Sequence, residues 1–235
     1  MTTSKHRFFC EDITSKTLSE DESNHAAKVL RLQVGNQIEL FDGKGNSAMA
    51  IISQISKKSL HFTFDKIQSV EPVNYDIHIG IAPTKNIDRF VFFMEKCTEI
   101  GITQITPILT QKSERRDLKL DKLKKNLISA AKQSGNLMIP QLNELTKLSE
   151  FISTCKTSNH QKFIAHCAQH DDKQELKSLV HFNKKVIILI GPEGDFTSEE
   201  VNLATANHFK AVSLGTSRLR TETAGIVACH TVHLI

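Results

Sequence analysis

The stretch Ile190-Gly-Pro-Glu-Gly-Asp-Phe-Thr-Ser-Glu-Glu200 follows the apolar run 186–190 and precedes the start of a helix. A continuous, largely β-branched run predicts a strand covered on both faces, as in a parallel sheet flanked by helices. Thr197-Ser-Glu-Glu200 has the spacing of a capping box, which begins the helix. Open α/β sheets bind ligands at the carboxyl ends of their strands, and glycines let a ligand approach the backbone. A ligand site and a plain turn are both compatible with this loop.

A second glycine-containing loop follows the next predicted strand, 211–214. It is Gly215-Thr-Ser-Arg-Leu-Arg-Thr-Glu-Thr-Ala-Gly225, and it brings Arg218, Arg220 and Glu222 to the same edge of the sheet. Two adjacent strand ends with polar loops favour a functional site over an N-cap by Thr221 with surface arginines. The first loop is not G-x-G-x-x-G, and the chain contains no G-x-x-x-x-G-K-[ST], so dinucleotide and nucleoside-triphosphate binding are disfavoured.

Composition sets broad limits on the function. The 235 residues are 39% hydrophobic and 24% charged, which indicates a globular protein with a buried core. The net charge of +4 is compatible with RNA binding but does not require it. Five cysteines without a C-x-x-C pair argue against a disulfide framework or a four-thiolate zinc site.

No transmembrane segment, secretion signal or metal site is expected. The run 186–190 is far shorter than the roughly 20 residues that a membrane helix requires. The N-terminus lacks the apolar region of a signal peptide, so we expect a cytoplasmic protein. His166 and His170 have the i, i+4 spacing of zinc ligands, but they lie at a strand end without an adjacent glutamate.

Residues 36–68 alternate short apolar and polar runs. This pattern predicts hairpin strands at 37–41, 48–52 and 60–64, the first two joined by a glycine turn at 42–46. Ser19-Glu-Asp-Glu22 predicts a helix that continues to about Arg31. We expect a small β-barrel with one helix, ending near Glu71-Pro72-Val73-Asn74.

Strand-like and helix-like segments alternate after this point, which predicts an α/β domain. We predict strands at 76–82, 102–109, 162–166, 185–190 and 211–214, and helices at 86–100, 118–134, 173–180, 198–207 and 222–235. The basic residues between 112 and 125 favour a solvated helix face over an RNA contact. The predicted domains are 1–72 and 73–235.

The two long motifs, 190–196 and 214–224, resemble those of the bacterial 16S rRNA uridine-N3 methyltransferases of the SPOUT superfamily, the ribosomal RNA small subunit methyltransferase E family. His25-Ala-Ala-Lys-Val-Leu-Arg31, Lys96-Cys-Thr-Glu-Ile-Gly101 and Lys132-Gln-Ser134 also match, so the resemblance covers essentially the whole chain. It implies an N-terminal PUA-like β-barrel, a methyltransferase domain with a C-terminal trefoil knot, S-adenosylmethionine as cofactor and a homodimer. The implied substrate is N3 of one uridine in the 16S rRNA of assembled small ribosomal subunits.

The resemblance also implies site residues. One wall of the cofactor pocket would be formed by Ile190, Gly191, Pro192, Glu193 and Gly194, and the other by Leu214, Gly215, Leu219, Arg220, Thr223 and Ala224. The loop after the strand ending at His166 would supply a third side. The chain departs from the family pattern at Asp195, where a second glycine is usual, and at Ser217, Arg218, Asn136 and Val91. These departures bear on individual RNA contacts more than on the cofactor pocket.

The reaction adds its own requirements. Uracil N3 carries a proton that must leave, so a group must accept it. Glu222 is the candidate base, and Arg220 would stabilise negative charge on uracil or hold a phosphate; alternatively, Glu222 forms an ion pair that positions Arg220. For RNA contacts we nominate Arg7, His25, Lys28, Arg31, Lys85, Arg89 and Lys96.

Two other functions are compatible with the same sequence: an RNA-binding or ribosome-assembly protein without methyl transfer, and a methyltransferase that acts on another RNA.

Overall fold

The computed structural model describes residues 6–71, 73–167, 173–181 and 185–235. The chain forms two compact units. Residues up to 72 together with 131–139 form what we call the N-terminal unit, and residues 73–130 with 140–235 form the C-terminal unit. Residues 131–139 lie in the predicted second domain, whereas the structure packs this segment into the N-terminal unit.

Short strands and short helical segments build the N-terminal unit. Its elements are β1 (Arg7–Phe9), α1 (Glu20–Asn24), β2 (Gln37–Phe41), β3 (Asn46–Ile55), β4 (Leu60–Phe64) and β5 (Gln68–Ser69). Within the described residues these strands form one five-stranded sheet in which β1 is parallel to β2, and β3 is antiparallel to β2, β4 and β5. The predicted hairpin strands are therefore confirmed.

The glycine turn between β2 and β3 is fixed by Asp42. Its Oδ1 accepts hydrogen bonds from the backbone N–H groups of Lys44 at 2.7 Å and Asn46 at 3.0 Å. Gly43 and Gly45 have φ values of 75° and 99°, a region that favours glycine. The turn thereby leaves the Gly45 N–H and the Gly43 carbonyl available to pair with the segment 131–139.

Backbone and side-chain contacts hold 131–139 in the N-terminal unit. The Gly45 N–H donates to the Leu137 carbonyl at 3.1 Å, and the Ile139 N–H donates to the Gly43 carbonyl at 2.9 Å. Lys132 Nζ lies 2.8 Å from the Glu22 carboxylate and 5.3 Å from the centre of the Phe8 ring. These pairings join positions about a hundred residues apart, so local sequence patterns do not reveal them.

Parallel strands and helices alternate in the C-terminal unit. The strands are β6 (Asp76–Ile81), β7 (Gln104–Leu109), β8 (Gln141–Leu142), β9 (Thr146–Lys147), β10 (Gln161–Ala165), β11 (Gln174–Glu175), β12 (Lys185–Ile190) and β13 (Lys210–Ser213). The helices are α2 (Ile87–Ile100), α3 (Leu120–Ser134), α4 (Leu148–Cys155), α5 (Leu176–Leu179), α6 (Ser198–Ala206) and α7 (Thr221–Leu234). Residues 131–134 at the end of α3 belong to the N-terminal unit.

The strands of this unit form a parallel sheet. Among the described residues its order is β11-β13-β10-β12-β6-β7-β8, with β9 also paired to β7. Residues 186–190 of β12 are each at most 2% exposed, which confirms the strand predicted to be covered on both faces. Ala165 at the end of β10 is in register with Ile190 of β12 and with Val212 of β13, so three strand ends meet at one edge.

Helix α2 shows how the sequence sets both ends of an element. The Asn86 side chain accepts a hydrogen bond from the Asp88 N–H at 3.0 Å, and Gly101 ends the helix with φ 111°. Helix α7 packs on α2 at Gly225, where an added Cβ would lie 2.5 Å from the Phe93 ring. The absence of a side chain at Gly225 therefore lets α7 and α2 approach closely.

Three local predictions differ from the structure. The helix expected to continue to about Arg31 is α-helical over Glu20–Asn24 and π-helical over His25–Val29, so its extent is close to the prediction and its second half is wider. The helix expected at 173–180 is a two-residue strand, β11, followed by the single turn α5. Helix α4 was not predicted, although Leu148, Phe151, Ile152 and Cys155 are buried at helical spacing.

Candidate functional site

A cavity of about 650 Å³ opens in the C-terminal unit where β10, β12 and β13 end. Its volume is in the range of small-molecule sites, and it lies at the sheet edge where α/β proteins bind ligands. The lining comes from three segments: 165–167 with Lys173, 190–195, and 212–224. The two loops singled out from the sequence therefore enclose one site.

The first wall is the loop after β12. Ile190, Gly191 and Pro192 are buried and line the cavity, while Glu193 lines it from an exposed position. The predicted capping box that begins α6 is confirmed: Thr197 Oγ1 accepts from the Glu200 N–H at 3.3 Å, and Glu200 Oε2 accepts from the Thr197 N–H at 2.9 Å.

The second wall is the loop between β13 and α7. Gly215 has φ 128°, and an added Cβ there would meet nothing within 4 Å, so the backbone is open to the cavity. The walls are joined by the buried Thr221, whose hydroxyl donates to the Gly191 carbonyl at 3.0 Å. Arg220, exposed before the first turn of α7, places a cation at the cavity.

The third side comes from the end of β10. His166 and Cys167 line it together with Lys173, whose Nζ donates to the His166 carbonyl at 2.7 Å. Burial lowers the pKa of Lys173 below its usual value, and the nearby Asp195 carboxylate partly offsets that effect. His170, the second histidine of the i, i+4 pair, lies outside the described residues.

Most residues nominated for the cofactor pocket line the cavity. They are Ile190, Gly191, Pro192, Glu193, Leu214, Gly215, Leu219, Arg220 and Ala224. In the described part of the chain, Gly194 and Thr223 are outside the lining. The Gly194 carbonyl accepts a hydrogen bond from Lys112 Nζ at 2.9 Å, and Thr223 is half-buried in the first turn of α7.

Glu222 is placed differently from the expectation for a base. Its side chain is only 9% exposed, and its Oε1 lies 4.0 Å from Arg89 Nε on α2. Glu222 is outside the cavity lining of the described residues, and its ion pair is with Arg89 instead of Arg220.

The nominated RNA-contact residues fall into two groups. His25, Lys28 and Arg31 are exposed on the N-terminal unit, and Lys85, Arg89 and Lys96 lie at least partly exposed on the C-terminal unit. Arg7 is corrected: its side chain is 10% exposed, pairs with Glu39 and donates to the Asn136 carbonyl at 3.0 Å. Burial lowers the pKa of Arg7, and its guanidinium serves the packing of its own unit.

Hydrogen bonds from Arg115 and Lys112 support the first wall, and the sequence did not predict them. Arg115 donates to the carbonyls of Thr84 at 3.2 Å and Lys85 at 2.8 Å, and the Lys85 N–H donates to Glu193 Oε1 at 3.1 Å. Lys112 contributes its hydrogen bond to Gly194. The basic composition of this segment predicts a solvated face, because charge density alone does not show which side chains fold back onto a loop.

Over the described ranges no group of three or more His, Cys, Asp or Glu side chains is arranged to hold a metal ion. None of the helices that the structure describes is long and apolar enough to cross a membrane.

Fold and site together define an α/β protein with a ligand cavity at the carboxyl edge of a parallel sheet, preceded by a small β unit. Residues 71–233 match the family model described as RNA methyltransferase domain, and residues 18–65 match the RNA methyltransferase PUA domain. The chain belongs to this RNA methyltransferase family.

Individual relatives agree with the family assignment. The ribosomal RNA small subunit methyltransferase E of Rickettsia conorii is 29% identical over 221 residues, 93% of this chain and 89% of that protein. A crystal structure of a probable rRNA methyltransferase from Porphyromonas gingivalis is 37% identical with a TM-score of 0.90, and covers 97% of both chains.

A third relative carries a ligand. The ribosomal RNA small subunit methyltransferase E of Neisseria gonorrhoeae, solved bound to S-adenosyl methionine, is 27% identical with a TM-score of 0.85 and covers 95% of this chain and 94% of that one. The comparisons confirm the resemblance stated from the sequence and the fold class, a SPOUT-type α/β methyltransferase domain with an N-terminal PUA domain.

Proposed function

We propose that this chain is an S-adenosylmethionine-dependent enzyme that methylates N3 of a specific uridine in the 16S rRNA of the small ribosomal subunit. The observation that carries the proposal is the cavity in which the two motifs meet, at the ends of β12 and β13, the two strands that flank β10 in the sheet. The family match supports methyl transfer to RNA, and the small-subunit relatives support the ribosomal substrate.

The cavity suits the proposed cofactor. S-adenosylmethionine supplies an activated methyl group on a cationic sulfonium, and carries an adenosine and a charged amino-acid group. A cavity of about 650 Å³ accommodates a molecule of this size. Open backbone at Gly215 and the carboxylate of Glu193 supply polar partners. The residues proposed to hold the cofactor are the nine predicted residues that line the cavity, from Ile190 to Ala224.

The uridine sets the remaining requirements. N3 lies on the Watson–Crick edge, so the base must be unpaired or turned out before it reaches the methyl group. The N3–H bond breaks and its proton passes to an acceptor, which leaves transient negative charge on N3 and the uracil oxygens. The N3 lone pair then forms the N3–CH3 bond as the S–CH3 bond of the sulfonium breaks and S-adenosylhomocysteine leaves. Arg220, at the cavity and exposed, is the group proposed to stabilise that charge.

The role of Glu222 has two forms. It is the sequence-based choice for the acceptor of the N3 proton. The alternative drawn from the sequence is that it pairs with and positions Arg220, but its ion pair is with Arg89, so a positioning role concerns Arg89 instead. The burial of Glu222 and its place outside the cavity lining favour the positioning role.

RNA contacts are proposed on His25, Lys28 and Arg31 of the N-terminal unit and on Lys85, Arg89 and Lys96 of the C-terminal unit. Contacts to phosphates would weaken binding as salt rises, with a slope of about 0.7 to 0.9 per phosphate neutralised. The homodimer, the trefoil knot and a cytoplasmic location stay predictions that accompany this function.

The test is transfer of labelled methyl from S-adenosylmethionine to purified small subunits that lack the modification, followed by nucleoside analysis. We expect 3-methyluridine in the 16S rRNA. A relative active on the same subunits serves as the positive control. Label in another nucleoside would overturn the N3 assignment, and label accepted only by another RNA would overturn the substrate. Cofactor binding without any transfer would favour the RNA-binding protein without catalysis.

A further inference from the structure

Asp195 has a backbone conformation that is uncommon for a residue with a side chain. It lies in the loop after β12 with φ 61°, in the left-handed region where a residue with a Cβ is uncommon and Asp and Asn are the best tolerated of those with side chains. Its own N–H donates to the Pro192 carbonyl at 2.9 Å, which closes the turn. Glycine would adopt this geometry with less strain, so an aspartate at this position indicates a role for its carboxylate.

The carboxylate joins two loops. Oδ2 of Asp195 accepts from the Cys167 N–H at 2.8 Å, and Oδ1 accepts from the Phe196 N–H at 2.8 Å. Cys167 follows β10, whereas Phe196 follows β12. Hydrogen bonds to an ionised acceptor are stronger than those between neutral groups, so the Asp195 carboxylate joins the two loops more strongly than a neutral side chain would.

Both joined loops are walls of the cavity. His166 and Cys167 line one side and Asp195 itself lines the adjacent side. Lys173 secures the same strand end from its other flank through its hydrogen bond to the His166 carbonyl. The position of this strand end therefore depends on two charged side chains, one of them part of the first wall.

We propose that Asp195 is a positioning residue of the cofactor cavity, whose carboxylate fastens the segment 166–167 to the loop after β12 and thereby sets the affinity for S-adenosylmethionine. The inference rests on the proposed function for the identity of the ligand. Asp195 acts here through the backbone of Cys167 and is not assigned to the methyl-transfer step.

Two substitutions separate the contributions of Asp195. Asp195→Gly removes both hydrogen bonds and is compatible with φ 61°, so the fold is expected to remain. Asp195→Asn tolerates the same backbone but removes the charge and leaves one oxygen to accept. Glu199→Gln is the matched control, because Glu199 is an exposed carboxylate in the first turn of α6 and outside the lining.

The first readout is independent of any ligand. Amide hydrogen exchange of Cys167, measured in the full chain, is expected to accelerate in Asp195→Gly and to stay at the wild-type rate in Glu199→Gln. Unchanged exchange at Cys167 in Asp195→Gly would overturn the bridge.

The second readout is affinity, measured by titration calorimetry with S-adenosylmethionine and with S-adenosylhomocysteine. We expect Asp195→Gly to weaken both by about tenfold or more, the size of one lost charge-assisted hydrogen bond, with Asp195→Asn intermediate. In turnover assays KM for the cofactor is expected to rise while kcat changes little. Weakening of the cationic ligand alone would overturn the positioning role in favour of a direct charge contact.

Two further outcomes distinguish a failure of this inference from a failure of the proposed function. Wild-type affinity in Asp195→Gly, with faster Cys167 exchange, would overturn the link from bridge to affinity while the proposed function stands. A wild-type protein that does not bind S-adenosylmethionine would overturn the proposed function and the affinity role together, and the exchange experiment would still decide the bridge.

Discussion

The hydroxyl of Thr221, the first residue of α7, donates a hydrogen bond at 3.0 Å to the carbonyl of Gly191, the first residue after β12. Thirty positions separate these residues in the chain, and both are buried. The bond joins the two walls of the cavity at their bases, so the cavity depends on the relative placement of two distant motifs.

Thr221→Val tests this join. Valine has nearly the same shape but no donor, which leaves the buried Gly191 carbonyl without this hydrogen bond. We expect unfolding free energy to fall by about 1–2 kcal/mol in urea denaturation, and cofactor affinity to fall with it. Thr221→Ser retains the hydroxyl and is expected to keep the affinity. Equal affinity in Thr221→Val and wild type would show that the walls are held by other contacts.

Arg115 provides a second test of the same wall. Arg115→Gln replaces the charged guanidinium by a shorter, neutral amide that cannot hold both the Thr84 and Lys85 carbonyls, and it loosens the loop whose Lys85 N–H donates to Glu193. We expect cofactor binding to weaken several-fold, in line with the roughly 1–2 kcal/mol of hydrogen bonds made by a charged group. Arg116→Gln, at the exposed neighbouring position, is the control. Matching losses in the two variants would indicate a general charge effect.

Glu222→Gln distinguishes the two roles proposed for that carboxylate. Because Glu222 is buried against Arg89 and outside the cavity lining, we expect kcat to fall less than about tenfold, and Arg89→Gln to change kcat by a similar amount without adding to it. The measurement is single-turnover methyl transfer at saturating cofactor. A loss of about 100-fold or more with cofactor affinity intact would instead assign Glu222 as the base.

The sequence predicted those parts of the molecule that depend on local patterns. The predicted bounds of β12 match the observed ones because a short, continuous apolar run is typical of a strand covered on both faces. The start of α6 was predicted because a capping box is a contact between near neighbours in the chain. The placement of both motifs at one sheet edge follows from parallel pairing, which the alternation of elements indicates.

Contacts between distant positions could not be predicted in this way. Nothing in the sequence near Cys167 shows that its N–H meets the Asp195 carboxylate, and an aspartate with φ 61° has no local pattern of its own. The packing of 131–139 with the N-terminal unit depends on backbone pairing with a glycine turn near residue 45. The orientation of Glu222 toward α2 likewise depends on how α7 packs.

Gly225 tests that packing. In an exposed helix Gly→Ala stabilises by up to about 1 kcal/mol, but here an added Cβ would lie 2.5 Å from Phe93 Cε2 and 3.1 Å from Ile81 Cδ1. We expect Gly225→Ala to lower the unfolding free energy by about 1–3 kcal/mol, measured in urea. Combining it with Phe93→Leu should cost less than the sum of the two single changes. A Gly225→Ala protein at least as stable as wild type would contradict the close approach of α7 and α2.

His78 makes stability depend on pH. Burial lowers its pKa from 6.5 to about 4; Asp76 opposes that shift and His160 adds to it. The His78 Nε2 lies 2.7 Å from the Thr106 hydroxyl oxygen, which accepts a hydrogen bond from the Asn143 amide. The Thr106 hydroxyl can therefore donate its own proton to Nε2 of a neutral His78 imidazole. The unfolded chain binds the proton more tightly, so the stability contributed by neutral His78 is present above pH 6.5 and is lost as pH falls toward 4.

His78→Gln removes this titration and leaves Asp76 and His160 in place. Between neutral pH and about pH 4, we expect the wild type to lose about 3 kcal/mol more unfolding free energy than the variant, since one pKa unit corresponds to about 1.4 kcal/mol. Urea denaturation at several pH values measures the difference between the two slopes, which is insensitive to the packing lost with the ring. Parallel pH profiles for wild type and His78→Gln would mean that His78 binds protons equally in the folded and unfolded chains.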